Sequence, residues 1–162
     1  LTEFQINQAV ATLVRENLLA EGFNVDLLRE FDGKLQGYRA LALISIHADS
    51  CEYINDQATG FKVAAALSNQ YPERAARLTA CLSDRYSRAT GLAFHPNTVT
   101  QDMSSYHAFD EIDPETNAVI IEIGFMNLDR QILTQGQAKV ARGITDGILC
   151  YVRNEDVTPQ EP

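Results

Sequence analysis

The stretch AVIIEIGFMN, residues 118–127, decides the fold, because one carboxylate interrupts an otherwise apolar run. Continuous apolar residues, without an apolar–polar alternation, are typical of a strand buried on both faces. We therefore predict a central strand over Ala118–Ile123. A carboxylate inside such a strand is costly unless it is paired, coordinated or protonated, so Glu122 requires a partner or a function.

A second apolar run, LALISIH at Leu41–His47, predicts another strand buried on both faces. His47 stands at the end of that strand, as Glu122 stands near the end of the first. Functional residues of α/β sheets gather where the strands end and the loops begin. The sequence therefore places both residues at one edge of the sheet, although a lone histidine after a strand is more often structural.

The rest of the chain predicts alternating helices and strands. The predicted elements are a helix from Thr2 to about Glu21, strands over Phe23–Leu28 and Gly60–Ala65, a helix over Pro72–Thr90, an irregular segment over Asn97–Ile112 and a helix over Gly136–Val152. This order predicts an α/β fold: a single domain over residues 1–152, with a mixed, largely parallel sheet and helices on both faces. The polar residues 153–162 are expected to form a disordered tail.

Composition limits the partners. Thirteen basic and twenty-two acidic residues give a net charge of −9, which argues against a nucleic-acid partner because phosphate binding needs a basic surface. No apolar run reaches the length of a membrane span, so we expect no membrane insertion. We also expect a monomer.

The three cysteines, Cys51, Cys81 and Cys150, lack metal-site spacing. A bond between Cys51 and Cys81 is possible in an oxidising compartment, but we expect three free or mostly buried thiols.

Three further residues are candidates for chemistry. Glu3 lies in the first turn of a helix, where a carboxylate is by default favourable to the helix dipole. His95 and His107 fall within or beside the irregular segment, from which a loop could carry either toward the crevice. For His95 we favour a solvated loop histidine, whereas for His107 both interpretations stay open.

Three segments in order, Leu1-Thr2-Glu3, residues 45–49 (SIHAD) and residues 119–127 (VIIEIGFMN), resemble those of the zinc-dependent N-acetylmuramoyl-L-alanine amidases. The resemblance runs from Leu1 to about Val152 and implies that family's hydrolase-like α/β fold. It implies that Glu3 and His47 are zinc ligands and that Glu122 is the catalytic acid and base. The implied cofactor is Zn²⁺.

The sequence departs from the family's pattern in three places. The family's first zinc ligand is a histidine in a glycine-rich loop that precedes the glutamate, and we expect residues ahead of Leu1 to supply it, with a signal segment for export. Asp49 stands where asparagine is common, and Asn127 directly follows Met126.

The resemblance implies zinc-dependent hydrolysis of the amide bond between N-acetylmuramic acid and L-alanine in bacterial peptidoglycan. Such an enzyme would act in the cell envelope during wall remodelling, daughter-cell separation or lysis. His107 and Asn127 are the expected substrate contacts.

Two alternatives stay open. The chain could be a non-catalytic relative that binds peptidoglycan or a regulatory partner, although Glu122 would then gain nothing from its place in a strand. It could also be another zinc hydrolase, such as a peptidase or a deacetylase. The sequence contains no HExxH segment, which excludes the commonest protease arrangement.

Overall fold

The computed structural model of the protein describes residues 1–157, which fold as helices packed on a three-stranded sheet. The elements are α1 (Glu3–Ala20), β1 (Ala42–Asp49), β2 (Lys62–Ala65), α2 (Pro72–Thr90), α3 (Gln101–Ser104), α4 (Ala108–Glu111), β3 (Asn117–Phe125), α5 (Arg130–Gln135) and α6 (Gln137–Val152), with short 3-10 helices at Gly33–Leu35 and Pro96–Thr98. None of the helices in this range is long and apolar enough to cross a membrane.

Strand β3 lies in the middle of the sheet. It pairs in parallel with β1 and antiparallel with β2, in the order β1-β3-β2. The predicted mixed α/β sheet is therefore confirmed, with one parallel and one antiparallel pairing. Because successive residues of a strand point to opposite faces, Val119, Ile121 and Ile123 point to one face while Ala118, Ile120 and Glu122 point to the other.

The two faces of the sheet are covered differently. The long helices α1, α2 and α6 pack over Val119, Ile121 and Ile123. The other face is covered by α3, α4 and neighbouring loop residues, which pack over Ala118 and Ile120. Glu122 shares this second face, and the short elements leave it half-buried.

Helix α1 begins with a capping box, as its sequence favours. The Thr2 hydroxyl accepts from the Gln5 amide at 3.2 Å, and the Gln5 side chain accepts from the Thr2 amide at 2.9 Å. Its buried residues recur every fourth position, at Ile6, Val10, Val14 and Leu18. Phe4 lies outside this buried stripe and is 65% exposed.

Helices α2 and α6 form the most extensive helix pair of the described residues. A Cβ atom on Gly147 would lie 2.7 Å from the Leu82 Cα atom, so glycine allows the two backbones to approach closely. A disulfide bond joins Cys81 to Cys150 across the same pair, while Cys51 is free and exposed. The expectation of three free thiols was therefore wrong, because helix packing brings together two cysteines that are 69 residues apart.

One other expectation needs correction. The segment over Phe23–Leu28 is irregular, since no strand of residues 1–157 pairs with it, although Phe23 and Val25 still pack against the core. The predicted tail, residues 153–162, is described only as far as residue 157. There the main chain bonds to α2: Arg77 donates to the Glu155 carbonyl and Arg85 to the Asp156 carbonyl. Residues 158–162 lie outside the described range.

Candidate active site

Glu3, His47 and Glu122 lie at the same end of the sheet. His47 and Glu122 are Cα partners on the neighbouring parallel strands β1 and β3, so their side chains share one face. Glu3, in the first turn of α1, reaches the same place: its Oε1 atom lies 3.3 Å from Nδ1 of His47. The three residues that the sequence singled out therefore come together, from positions far apart along the chain.

The Glu3–His47 pair is held by its surroundings. Asn7 donates to Oε1 of Glu3 at 3.1 Å, and the Ala48 amide donates to the same oxygen at 3.4 Å. On its other side, Nε2 of His47 lies 3.0 Å from the Ser45 hydroxyl. These contacts restrict both side chains before any ligand arrives.

The side chain of Glu122 is half-buried, and one of its two carboxyl oxygens lacks a partner. Its Oε2 atom is inaccessible to solvent and has no hydrogen-bond partner among the described residues. Burial, which is the largest cause, and the nearby carboxylates Asp49 and Glu3 together raise the pKa of Glu122 to about 7, against the opposing effect of Lys62. A carboxyl group with a pKa near 7 can both accept and release a proton at neutral pH, as a general acid and base must.

Lys62 is a site residue that the sequence analysis missed. It is the Cα partner of Glu122 on β2, which extends the row His47–Glu122 across the third strand. Its ammonium group lies 2.5 Å from Oδ2 of Asp49 and 4.9 Å from the centre of the Phe125 ring. The sequence does show Lys62 as a lone charge at the start of an apolar segment. Its place next to Glu122, however, depends on the register between β2 and β3.

Asp129 fixes the ends of β3 and β2. Its buried side chain accepts hydrogen bonds from the amides of Phe125 at 2.9 Å and Gly60 at 3.0 Å, and from the Thr59 hydroxyl. A Cβ atom on Gly124, whose φ is +152°, would lie 3.2 Å from the Asp129 side chain. Glycine at this position therefore allows the close approach that holds the row in register.

The remaining predicted residues lie around this centre. His107 is bonded through Nε2 to the Glu30 carbonyl at 3.0 Å and is connected to His47 through the Tyr106 ring. Asn127 donates to the Cys51 carbonyl at 3.2 Å and lines a cavity of about 130 Å³. His95 is not a solvated loop residue, because it is half-buried with Nε2 2.6 Å from the Thr59 carbonyl.

The donor atoms at the site agree in kind with a zinc ion. Glu3 and His47 present a carboxylate oxygen and an imidazole nitrogen, both of which zinc binds in proteins. A catalytic zinc usually has three protein ligands, and no group of three histidine, cysteine or acidic side chains within residues 1–157 is arranged to hold a metal ion. Glu3 and His47 are therefore candidates for two of the ligands of such an ion.

Comparison with known proteins identifies the family. Residues 1–150 match the family described as N-acetylmuramoyl-L-alanine amidase. No protein with a curated description matches the chain. Among solved structures, the fold is similar to that of the N-acetylmuramyl-L-alanine amidase Ami1 from Mycobacterium smegmatis, with a TM-score of 0.72 and 19% identity over 94% of this chain and 77% of that one.

Two further structures share the fold. The catalytic domain of the amidase CwlV from Bacillus (Paenibacillus) polymyxa has a TM-score of 0.67 and 23% identity over 93% of this chain and 85% of that one. The amidase CwlD from Clostridioides difficile, solved with the GerS lipoprotein, has a TM-score of 0.68 and 18% identity over 95% and 88% of the two chains. The family match over nearly the whole chain confirms the amidase family that three short segments indicated: this protein is an enzyme of the N-acetylmuramoyl-L-alanine amidase family.

Proposed function

We propose that the protein hydrolyses the amide bond between N-acetylmuramic acid and L-alanine in peptidoglycan, in a zinc-dependent reaction that uses Glu122 as acid and base. The observation that carries the proposal is the buried, unpartnered Oε2 atom of Glu122. His47, which lies opposite Glu122 on the neighbouring strand, is already paired with Glu3 and does not bond to this oxygen. A buried carboxyl oxygen without a partner is costly unless a substrate or a water molecule completes its bonding.

In this proposal Glu3 and His47 hold the zinc ion. The chemistry that zinc supplies when bound is Lewis acidity, which polarises the amide carbonyl and makes a water molecule a stronger acid. Glu122 accepts the proton of the attacking water and then delivers it to the nitrogen of the departing L-alanine. The raised pKa of Glu122, about 7, suits both halves of this transfer.

The substrate contacts, the partner and the compartment are part of the same proposal. His107 and Asn127 flank the centre on different loops and would contact peptidoglycan on either side of the scissile bond. The enzyme would act as a monomer in the cell envelope, where its substrate lies. The Cys81–Cys150 disulfide supports this location, because such bonds persist in oxidising compartments outside the cytosol.

The test compares two glutamate-to-glutamine substitutions. Glu122→Gln removes the proton carrier without changing the size of the side chain, and we expect the rate of amide cleavage to fall at least about a thousandfold. Glu16→Gln changes an exposed glutamate of α1 and should leave the rate unchanged. Release of amino groups from purified peptidoglycan gives the rate, and mass spectrometry of the products identifies the bond that is cut.

The second candidate is a non-catalytic relative that binds peptidoglycan. The observation in its favour is that the described residues offer two candidate zinc ligands, whereas a catalytic zinc usually has three. A protein that sediments with peptidoglycan but releases no amino groups, with or without added zinc, would support this candidate and contradict the first.

A further inference from the structure

Four aromatic rings lead away from the active site toward solvent. They belong to His47, Tyr106, His107 and Phe31, and we call them the aromatic ladder. The ring centres are 5.1 Å apart from His47 to Tyr106, 4.4 Å apart from Tyr106 to His107, and 4.7 Å apart from His107 to Phe31. The proposed function uses His47 as a zinc ligand and His107 as a substrate contact, but it assigns no role to Tyr106 or Phe31.

The outermost ring is unusually exposed for so large an apolar group. Phe31 is 79% exposed, and it stacks on His107 with an angle of 18° between the ring planes. One of its faces is therefore covered by imidazole, and the other is available to a ligand. Single exposed apolar side chains are common on protein surfaces, but Phe31 ends a continuous row of rings that reaches His47, and this continuity makes the row a candidate binding surface.

Hydrogen bonds hold the aromatic ladder in place. His107 is bonded through Nε2 to the Glu30 carbonyl at 3.0 Å, which ties it to the residue before Phe31. The Tyr106 hydroxyl lies near the side chains of Ser45 and Glu30, which act on its pKa. The bond to Glu30 and the ring contacts connect the loop that carries Phe31 to His47 of β1. The rings are therefore restricted before a ligand binds, so that less entropy is lost on binding.

We propose that the aromatic ladder is a subsite for the glycan part of the substrate, with the apolar face of an N-acetylated sugar ring stacked on Phe31. This inference rests on the proposed action on peptidoglycan. The C–H bonds on one face of a pyranose ring carry partial positive charge, which complements the negative face of an aromatic ring. The peptide that begins with L-alanine offers carboxylates and one methyl group next to the scissile bond, and a methyl group covers less of an aromatic ring than the face of a pyranose does.

The experiment measures binding rather than cleavage. A peptide-free tetrasaccharide of alternating N-acetylglucosamine and N-acetylmuramic acid is titrated into the protein, and binding is followed by NMR. Sugar C–H protons that lie over an aromatic ring shift upfield. We expect Phe31→Ala to weaken binding at least tenfold and to abolish the upfield shifts, while Phe31→Trp retains both.

The control is Leu67→Ala, which truncates another exposed apolar side chain, 72% exposed, beyond the opposite end of β2 from Lys62. It should bind the tetrasaccharide as the unchanged protein does. No binding by the unchanged protein, or equal binding by Phe31→Ala, overturns the proposal. Binding of the free stem peptide that is lost in Phe31→Ala also overturns it, because the occupant is then the peptide. The tetrasaccharide contains no amide link to alanine, so these results do not depend on whether the protein cleaves peptidoglycan.

Discussion

At the scale of single residues, the site is a row of three polar side chains across three strands: His47, Glu122 and Lys62. The two outer members have charged partners, since His47 contacts Glu3 and Lys62 contacts Asp49. Glu122, in the middle, retains a carboxyl oxygen without a partner. The pairing of its neighbours leaves this oxygen available for proton transfer, which is the physical basis of its proposed role.

Replacement of Lys62 tests how much the Lys62–Asp49 ion pair contributes to the stability of the fold. Lys62 is 12% exposed and Asp49 is 25% exposed, so Lys62→Met leaves a largely buried carboxylate without its cation. We expect a loss of about 2 kcal/mol in the free energy of unfolding, less than for a fully buried pair because Asp49 still contacts water. Urea denaturation measures this loss.

The matched control for that substitution removes both charges. In the double variant Asp49→Asn, Lys62→Met no uncompensated charge remains, and we expect most of the lost stability to return. The comparison also needs the single variant Asp49→Asn. If the double variant loses as much unfolding free energy as the two single variants lose together, the two residues are not energetically coupled and the ion pair does not stabilise the fold.

Sequence reasoning found Glu122 but not Lys62, and the difference is physical. Glu122 interrupts six apolar residues of a central strand, so its cost of burial is visible in the sequence alone. Lys62 begins a strand of four residues, where a lysine is ordinarily solvated. Its burial depends on the antiparallel register with β3, which no local pattern specifies.

At the scale of elements, the helix pair α2–α6 supports β3 from the face opposite Glu122. Gly143 and Gly147 on α6 lie against Tyr86 and Leu82 of α2. The buried Tyr86 hydroxyl in turn donates to the Ile123 carbonyl at 2.6 Å, next to Glu122 in sequence. The helix pair therefore contributes to the position of the strand that carries the proposed acid and base.

The disulfide between these helices should contribute measurably to stability. It closes a loop between positions 69 residues apart, and restricting the unfolded chain in this way is worth about 4 kcal/mol. We expect the double variant Cys81→Ala, Cys150→Ala to unfold at correspondingly lower urea concentration. Cys51→Ser, which changes the exposed free thiol, should unfold as the unchanged protein does. Equal stability of all three proteins would contradict the pairing.

Element bounds could be predicted where local signals are strong. Pro72 at the first turn and Gly91 after the last mark α2, whose observed range agrees with the prediction. Phe23–Leu28 has an alternating pattern but no strand to pair with among residues 1–157, so the pattern reflects the packing of Phe23 and Val25 against the core. A strand requires a neighbour, and local sequence does not identify one.

At the scale of the whole molecule, the fold brings together residues that are 44 and 75 positions apart, Glu3 with His47 and His47 with Glu122. The order of helices and strands predicted the fold class, and the family resemblance singled out three residues, Glu3, His47 and Glu122, that the fold brings together. Neither predicted Lys62, the disulfide or the aromatic ladder. All three features arise from packing between elements. The disulfide lies in a helix interface that stabilises the fold, whereas the aromatic ladder ends at a surface that is available to a ligand.

The central claim is that Glu3 and His47 bind zinc beside Glu122. The measurement that tests it most directly is an anomalous difference map from crystals of the zinc-loaded protein, recorded on both sides of the zinc absorption edge. We expect one strong peak about 2.0–2.2 Å from a Glu3 carboxylate oxygen and from a His47 ring nitrogen, with Glu122 adjacent. A zinc peak elsewhere in the molecule, or none at these residues, would contradict the account.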